Sequence, residues 1–134
     1  METNVHRAAP VSVDLPLISN QEVWMNIALI KQYHENVPKV QAKKLVLDAL
    51  RRLDLEHIAY LRNPSLTSEE RFCTMLLRAC MVRDALVMID RPLKIIPHLQ
   101  DSDFIFKTLT RIDDLYSTCY IYDYQWTAPK YGEI

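Results

Sequence analysis

Residues 67–90, TSEERFCTMLLRACMVRDALVMID, constrain the fold of this chain more than any other stretch. Thr67 and Glu70 have the T-x-x-E spacing of a capping box, in which the threonine caps the helix start and the glutamate reaches back to the cap N–H. Beyond the cap the segment is apolar nearly all round. Phe72, Met75, Leu76, Leu77, Ala79, Cys80, Val82, Leu86, Val87 and Ile89 leave one narrow polar stripe at Arg71, Thr74 and Arg78. At helical spacing such a segment is buried on most sides and has to be walled in by other helices. As a single helix, its roughly 24 residues span about 36 Å, the width of a small domain. The expectation is the central post of a helical bundle.

Glycine usage supports that expectation. The 134 residues hold one glycine, Gly132, where average usage of about 7% gives roughly nine. Glycine serves tight hairpins and close backbone approach to phosphates, so its scarcity argues against a strand-rich fold. It also excludes G-x-G-x-x-G and Walker A loops from this sequence. Formal charge is −1, too small to draw in nucleic acid or an anionic membrane. The longest stretches free of charged residues run to about eight, against about twenty for a membrane span. The N-terminus lacks the layout of a secretory signal or mitochondrial presequence. Cys73, Cys80 and Cys119 are read as buried free thiols in a reducing compartment, so the expected location is intracellular, cytoplasmic or nuclear.

In chain order, residues 1–18 read as an extended or disordered N-terminal arm. A first helix is expected over about 19–36, started by a Ser19–Glu22 capping box with Ile18 and Val23 as a hydrophobic staple. A second runs over about 38–62, begun at Pro38 and broken at Asn63-Pro64. The third is the post at 67–90. Pro92 and Pro97 bound a short turn. A fourth helix, about 101–119, carries Ile105, Leu109, Ile112, Tyr116 and Cys119 on one stripe. From Tyr116 the pattern changes: Tyr120, Tyr122, Tyr124 and Trp126 alternate with Ile121, Asp123 and Gln125, the period of an extended segment. The expected architecture is therefore all-α: a single-domain bundle of four main helices over 19–119, with extended arms at 1–18 and 120–134.

No catalytic, cofactor or metal site is expected. His6, His34, His57 and His98 have no metal-ligand spacing, and His34 and His57 read as core histidines. Cys73 and Cys80 lie on the apolar side of the most buried helix, which disfavours a thiolate nucleophile. Asp113 and Asp114 point about 100° apart on a helix and share no proton. Arg83 and Asp84 lie off the polar stripe of the post and read as a structural ion pair or an open side for a partner's charge. The aromatic tail is the main functional signal, since tyrosine and tryptophan bury large area while keeping a polar tip.

These features lead to a non-enzymatic protein–protein interaction module, a small subunit, adaptor or regulator. Its partner-binding residues are Tyr120, Tyr122, Tyr124, Trp126 and Tyr131, and its partner is another protein or a second copy. The alternative is a nucleic-acid-associated protein using the basic face of helix 38–62, with Lys39, Lys43, Lys44, Arg51 and Arg52 as phosphate or partner contacts. An enzyme with a site hidden in the bundle core comes third.

Overall fold

The computed structural model describes residues 7–124 and is an α/β fold rather than an all-α bundle. The elements in order are β1 (Ala8–Val11), α1 (Val23–Glu35), α2 (Lys39–Arg52), α3 (Ser68–Cys80), β2 (Leu86–Asp90), α4 (Pro92–Ile95), α5 (Asp103–Arg111) and β3 (Thr118–Tyr122). Single 3-10 turns lie at Glu56–Ile58, Asn63–Ser65 and Asp113–Leu115. The strands form one parallel sheet in the order β1-β2-β3. Val87 is level with Ala9 on one side and Cys119 on the other, and Ile89 with Val11 and Ile121.

The post at 67–90 is two elements. Its first half is the helix α3, and the capping box is present: Glu70 N–H donates to the Thr67 hydroxyl at 3.1 Å and Thr67 N–H to the Glu70 carboxylate at 2.9 Å. Eight of the residues of α3, among them Phe72, Leu76 and Leu77, are buried. Helix ends at Met81, Asp84 takes a left-handed φ of 52°, and the chain continues as β2. A parallel strand buried against helices reads as a continuous apolar run, which helical periodicity alone does not separate from a buried helix.

The other helices are shorter than expected for local reasons. Residues 18–22 form no helix, because the Asn26 side chain accepts from Ile18 N–H at 2.8 Å and donates to the Ile18 and Gln21 carbonyls. Glu22 is the N-cap residue of α1, and its carboxylate takes the Trp24 indole N–H at 2.8 Å. The second helix stops at Arg52 in a Schellman motif. Asp54, at φ 58°, holds the left-handed position, and Leu55 N–H reaches the Leu50 carbonyl at 2.9 Å. The fourth ends at Arg111, and Tyr116 is already extended as the chain enters β3. Thus both expected arms contribute strands to the sheet: β1 lies in the first and β3 runs into the second.

Glycine scarcity misled because it was tied to hairpins. A parallel sheet is joined by crossovers that carry helices, so no tight hairpin is needed. The left-handed turns are taken by Asn36, Asp54, Asp84 and Arg91, and Asn and Asp tolerate that region better than most residues.

Residues level across the sheet share a face. Ala9, Val11, Val87 and Ile89 are buried, with Cys119 and Ile121 packed partly against the same core as α3. The opposite face presents Ala8, Pro10, Leu86, Met88, Thr118, Tyr120 and Tyr122, each half-buried or exposed. His34 and His57, read as core residues, are exposed. Arg83, which lies outside any helix, pairs with Glu35 at the end of α1 at 3.3 Å.

Candidate functional site at the strand ends

All three strands run the same way, so their carboxyl ends share one edge, the place where open α/β sheets bind ligands. That edge gathers Ser12 and Asp14 after β1, Asp90 and Arg91 at the end of β2, and Asp123 and Tyr124 after β3. The Ser12 hydroxyl donates to Asp90 Oδ2 at 3.1 Å and accepts from Asp14 N–H at 3.1 Å. Arg91 donates from Nε to Asp90 Oδ1 at 3.0 Å and from Nη2 to Asp90 Oδ2 at 2.9 Å. The same Nη2 reaches Asp14 at 3.1 Å, Nη1 reaches the Tyr124 hydroxyl at 3.5 Å, and the backbone N–H of Arg91 donates to the Tyr122 carbonyl. Asp123 accepts from Leu93 N–H at 3.3 Å and from Tyr124 N–H at 2.7 Å. One guanidinium thus links all three strand ends, from a residue at a left-handed φ of 48°.

Electrostatics reflect these contacts. The Arg91 guanidinium and, to a smaller extent, the Ser12 hydroxyl hold the Asp90 carboxyl below its ordinary range, against partial burial. Asp114 beside Arg52, Glu56 beside Arg51 and Glu35 beside Lys31 shift the same way. A folded-state pKa below the unfolded one contributes stability above the unfolded value, near 4, that is lost as pH falls through the folded one. Melting followed by circular dichroism is therefore expected to show a falling Tm between about pH 5 and pH 3, less steep in Asp90→Asn. A flat profile contradicts these pairings.

The residues singled out from sequence are distributed differently. Tyr120 and Tyr122 stand on β3, each 51% exposed, and Tyr124 joins the Arg91 network. Trp126 and Tyr131 lie outside the described residues. Of the basic set, Lys39 and Lys43 sit over the Trp24 ring at 5.8 and 5.2 Å, and Lys43 also over Tyr60 at 4.7 Å. Arg51 pairs with Asp48 and Glu56 at 2.8 and 2.7 Å, Arg52 pairs with Asp114, and Lys44 is exposed on α2. This face is largely engaged within the chain. Ser12, Asp14, Asp90, Arg91 and Asp123 were missed. Their signal was the apolar run 85–89 closed by Asp90 and bounded by Arg83-Asp84 and Arg91-Pro92, a buried-strand pattern. A cavity of about 660 Å³ lies at the other end of the strands, lined by Arg7, His34, Glu35 and Arg83. We favour the carboxyl edge, where the polar groups of three strands converge.

No family model and no curated protein matches the chain. Solved structures do match, and the fold resembles part of an ATP-binding cassette. CbiO1 from Clostridium perfringens, described as part of the ABC transporter complex cbiONQ, superposes with a TM-score of 0.69 at 16% identity over 90% of this chain. The bacterial ABC transporter cassette MJ0796, in a dimeric structure, gives 0.64 at 15% identity over 94%. The same cassette in a dimeric post-hydrolysis state with ADP and phosphate gives 0.62 at 15% over 90%. The chain spans about half the length of these structures, 48%, 56% and 53%.

The likeness overturns the non-enzymatic interaction module, which was built on helix faces and the aromatic tail, and its nucleic-acid alternative, which was built on the basic face of helix 38–62. The expectation that the chain is no enzyme falls with them, since its structural neighbours are ATP-binding cassettes, one of them holding ADP and phosphate. Among the described residues no helix is long and apolar enough to cross a membrane.

A magnesium nucleotide is the group this fold suggests, and the residues present do not fit it unaided. Phosphate-loop enzymes cradle phosphates in a glycine-rich loop and hold the metal with a strand-end aspartate. Here the sequence has one glycine, and both oxygens of Asp90 accept from Arg91. No group of three or more His, Cys, Asp or Glu among the described residues could hold a metal ion.

Proposed function

We propose that these 134 residues form an ATPase-like half of an ATP-binding cassette, the half that sets a carboxylate strand end beside a nucleotide whose phosphates are cradled by residues outside this sequence. The observation that carries the reading is Asp90 at the carboxyl end of the central parallel strand, oriented by Ser12 and Arg91. The unit works in an assembly, with a protein partner or a second copy, in keeping with cassettes described as dimers and as part of a transporter complex. Its three free thiols suit a reducing, intracellular setting.

Titration with a fluorescent ATP analogue in magnesium buffer tests this reading. The chain alone is expected to show no saturation below about 1 mM, because a sequence with one glycine cannot build a glycine-rich phosphate loop. Co-expressed with the glycine-loop half of a cassette, it is expected to bind the analogue and release phosphate, and Asp90→Asn is expected to slow that release by about tenfold or more. Co-expressed protein that neither binds nor turns over ATP contradicts the reading.

A further inference from the structure

We infer that Arg91 is the resident cation of the strand-end site, its guanidinium holding the place between Asp90 and Asp14 that a divalent metal ion would take. With Arg91 present this chain takes no metal at that point, and the metal of a bound nucleotide is held by residues outside these 134. The inference deepens the cassette reading above, on which it rests for the choice of ligand, by assigning the metal to the other half.

A strand-end aspartate holds magnesium in phosphate-loop enzymes because hard oxygens are aimed at one point, with water and phosphate completing the shell. Asp90 has that position, at the carboxyl end of the central strand. Two more hard oxygens gather beside it. Asp90 Oδ2 and Asp14 Oδ2 lie 2.9 and 3.1 Å from the same nitrogen, Arg91 Nη2. The Ser12 hydroxyl lies 3.1 Å from Asp90 Oδ2. The point on which both carboxylates converge is filled by a charged nitrogen of this chain.

That nitrogen is hard to displace. The contact with Asp90 is two-pronged, from Nε to Oδ1 at 3.0 Å and from Nη2 to Oδ2, and such paired charge-assisted bonds are stronger than single ones. A guanidinium keeps its charge at every pH at which the fold is studied. Its side chain is 24% exposed, and the Arg91 backbone N–H is tied to the Tyr122 carbonyl, so the group does not swing on a free stem. A divalent ion approaching Asp90 meets two engaged oxygens and a like charge within about 4 Å. An ion pair of structural value only leaves nothing behind when it is cut. Here removal of the guanidinium leaves two carboxylates and a hydroxyl gathered at one strand end, the donor set of a weak oxygen-ligated metal site.

Manganese binding to the full chain, read as loss of the free-ion EPR signal, tests the assignment. The native chain is expected to show no saturable binding below about 1 mM. Arg91→Gln is expected to half-saturate near about 0.1 mM, at least tenfold tighter, in the range of weak oxygen sites. Adding Asp90→Asn to that variant is expected to abolish the gain. Arg111→Gln, which cuts an exposed pair with Asp54 at 2.8 Å, is expected to gain nothing. Circular dichroism melts check that each variant is folded, and Arg91→Met replaces Arg91→Gln if the latter does not fold. Three results overturn the assignment: saturable binding by the native chain that Asp90→Asn removes, a folded Arg91 variant that gains no site, or an equal gain in Arg111→Gln. Each of these leaves the cassette reading standing when the co-expressed protein turns over ATP. A site gained in Arg91→Gln beside co-expressed protein that neither binds nor turns over ATP keeps the role of Arg91 and sinks the cassette reading.

Discussion

Ile89→Asp is expected to leave no folded protein at 25 °C, while Met88→Asp, one residue earlier, shifts the melting temperature by only a few degrees. Ile89 is fully buried on the helix-covered face, level with Val11 and Ile121. Truncating a buried isoleucine costs about 2–5 kcal/mol, and an unpaired charge at the same place costs several more. The total stability of a domain is about 5–15 kcal/mol. Met88 points to the uncovered face, where a carboxylate keeps its water. Urea melts followed by circular dichroism separate the two. Comparable losses at both positions contradict the strand, because only a strand sends consecutive side chains to opposite faces.

The cysteines give the second large effect. Burial pushes the Cys73 and Cys80 thiols up to about 12, and Cys119 to about 11. At pH 8 the thiolate population of Cys73 and Cys80 is then about three orders of magnitude below that of an ordinary cysteine. Alkylation by iodoacetamide, followed by mass spectrometry, is expected to be slower by about that factor at both sites and to recover in urea. Ordinary rates in the native chain contradict the packing of α3, since these two thiols lie in its core-facing turns.

What was legible in the sequence was local. The Thr67–Glu70 box, the burial of α3, the apolar stripe of Ile105, Leu109 and Ile112, and the alternation after Tyr116 all correspond to features of the structure. What was not legible was pairing across distance. β1 meets β2 across more than seventy residues, and four-residue AAPV carries too little pattern to announce a strand. In 85–89 every residue is apolar, so period two and period 3.6 give the same string, and a helix continued from α3 fits it as well as a strand does. The strand-end site stayed hidden for the same reason. Ser12, Asp90 and Asp123 are far apart in sequence, and only the parallel register of the sheet sets them on one edge.

The central claim is that residues 86–90 are the middle strand of a parallel sheet. Backbone NMR assignment of 81–90 tests it most directly. The account predicts extended Cα and Cβ shifts from Leu86 to Asp90, with cross-strand contacts linking Val87 to Ala9 and Cys119. Helical shifts running unbroken from Cys80 through Ile89 contradict it.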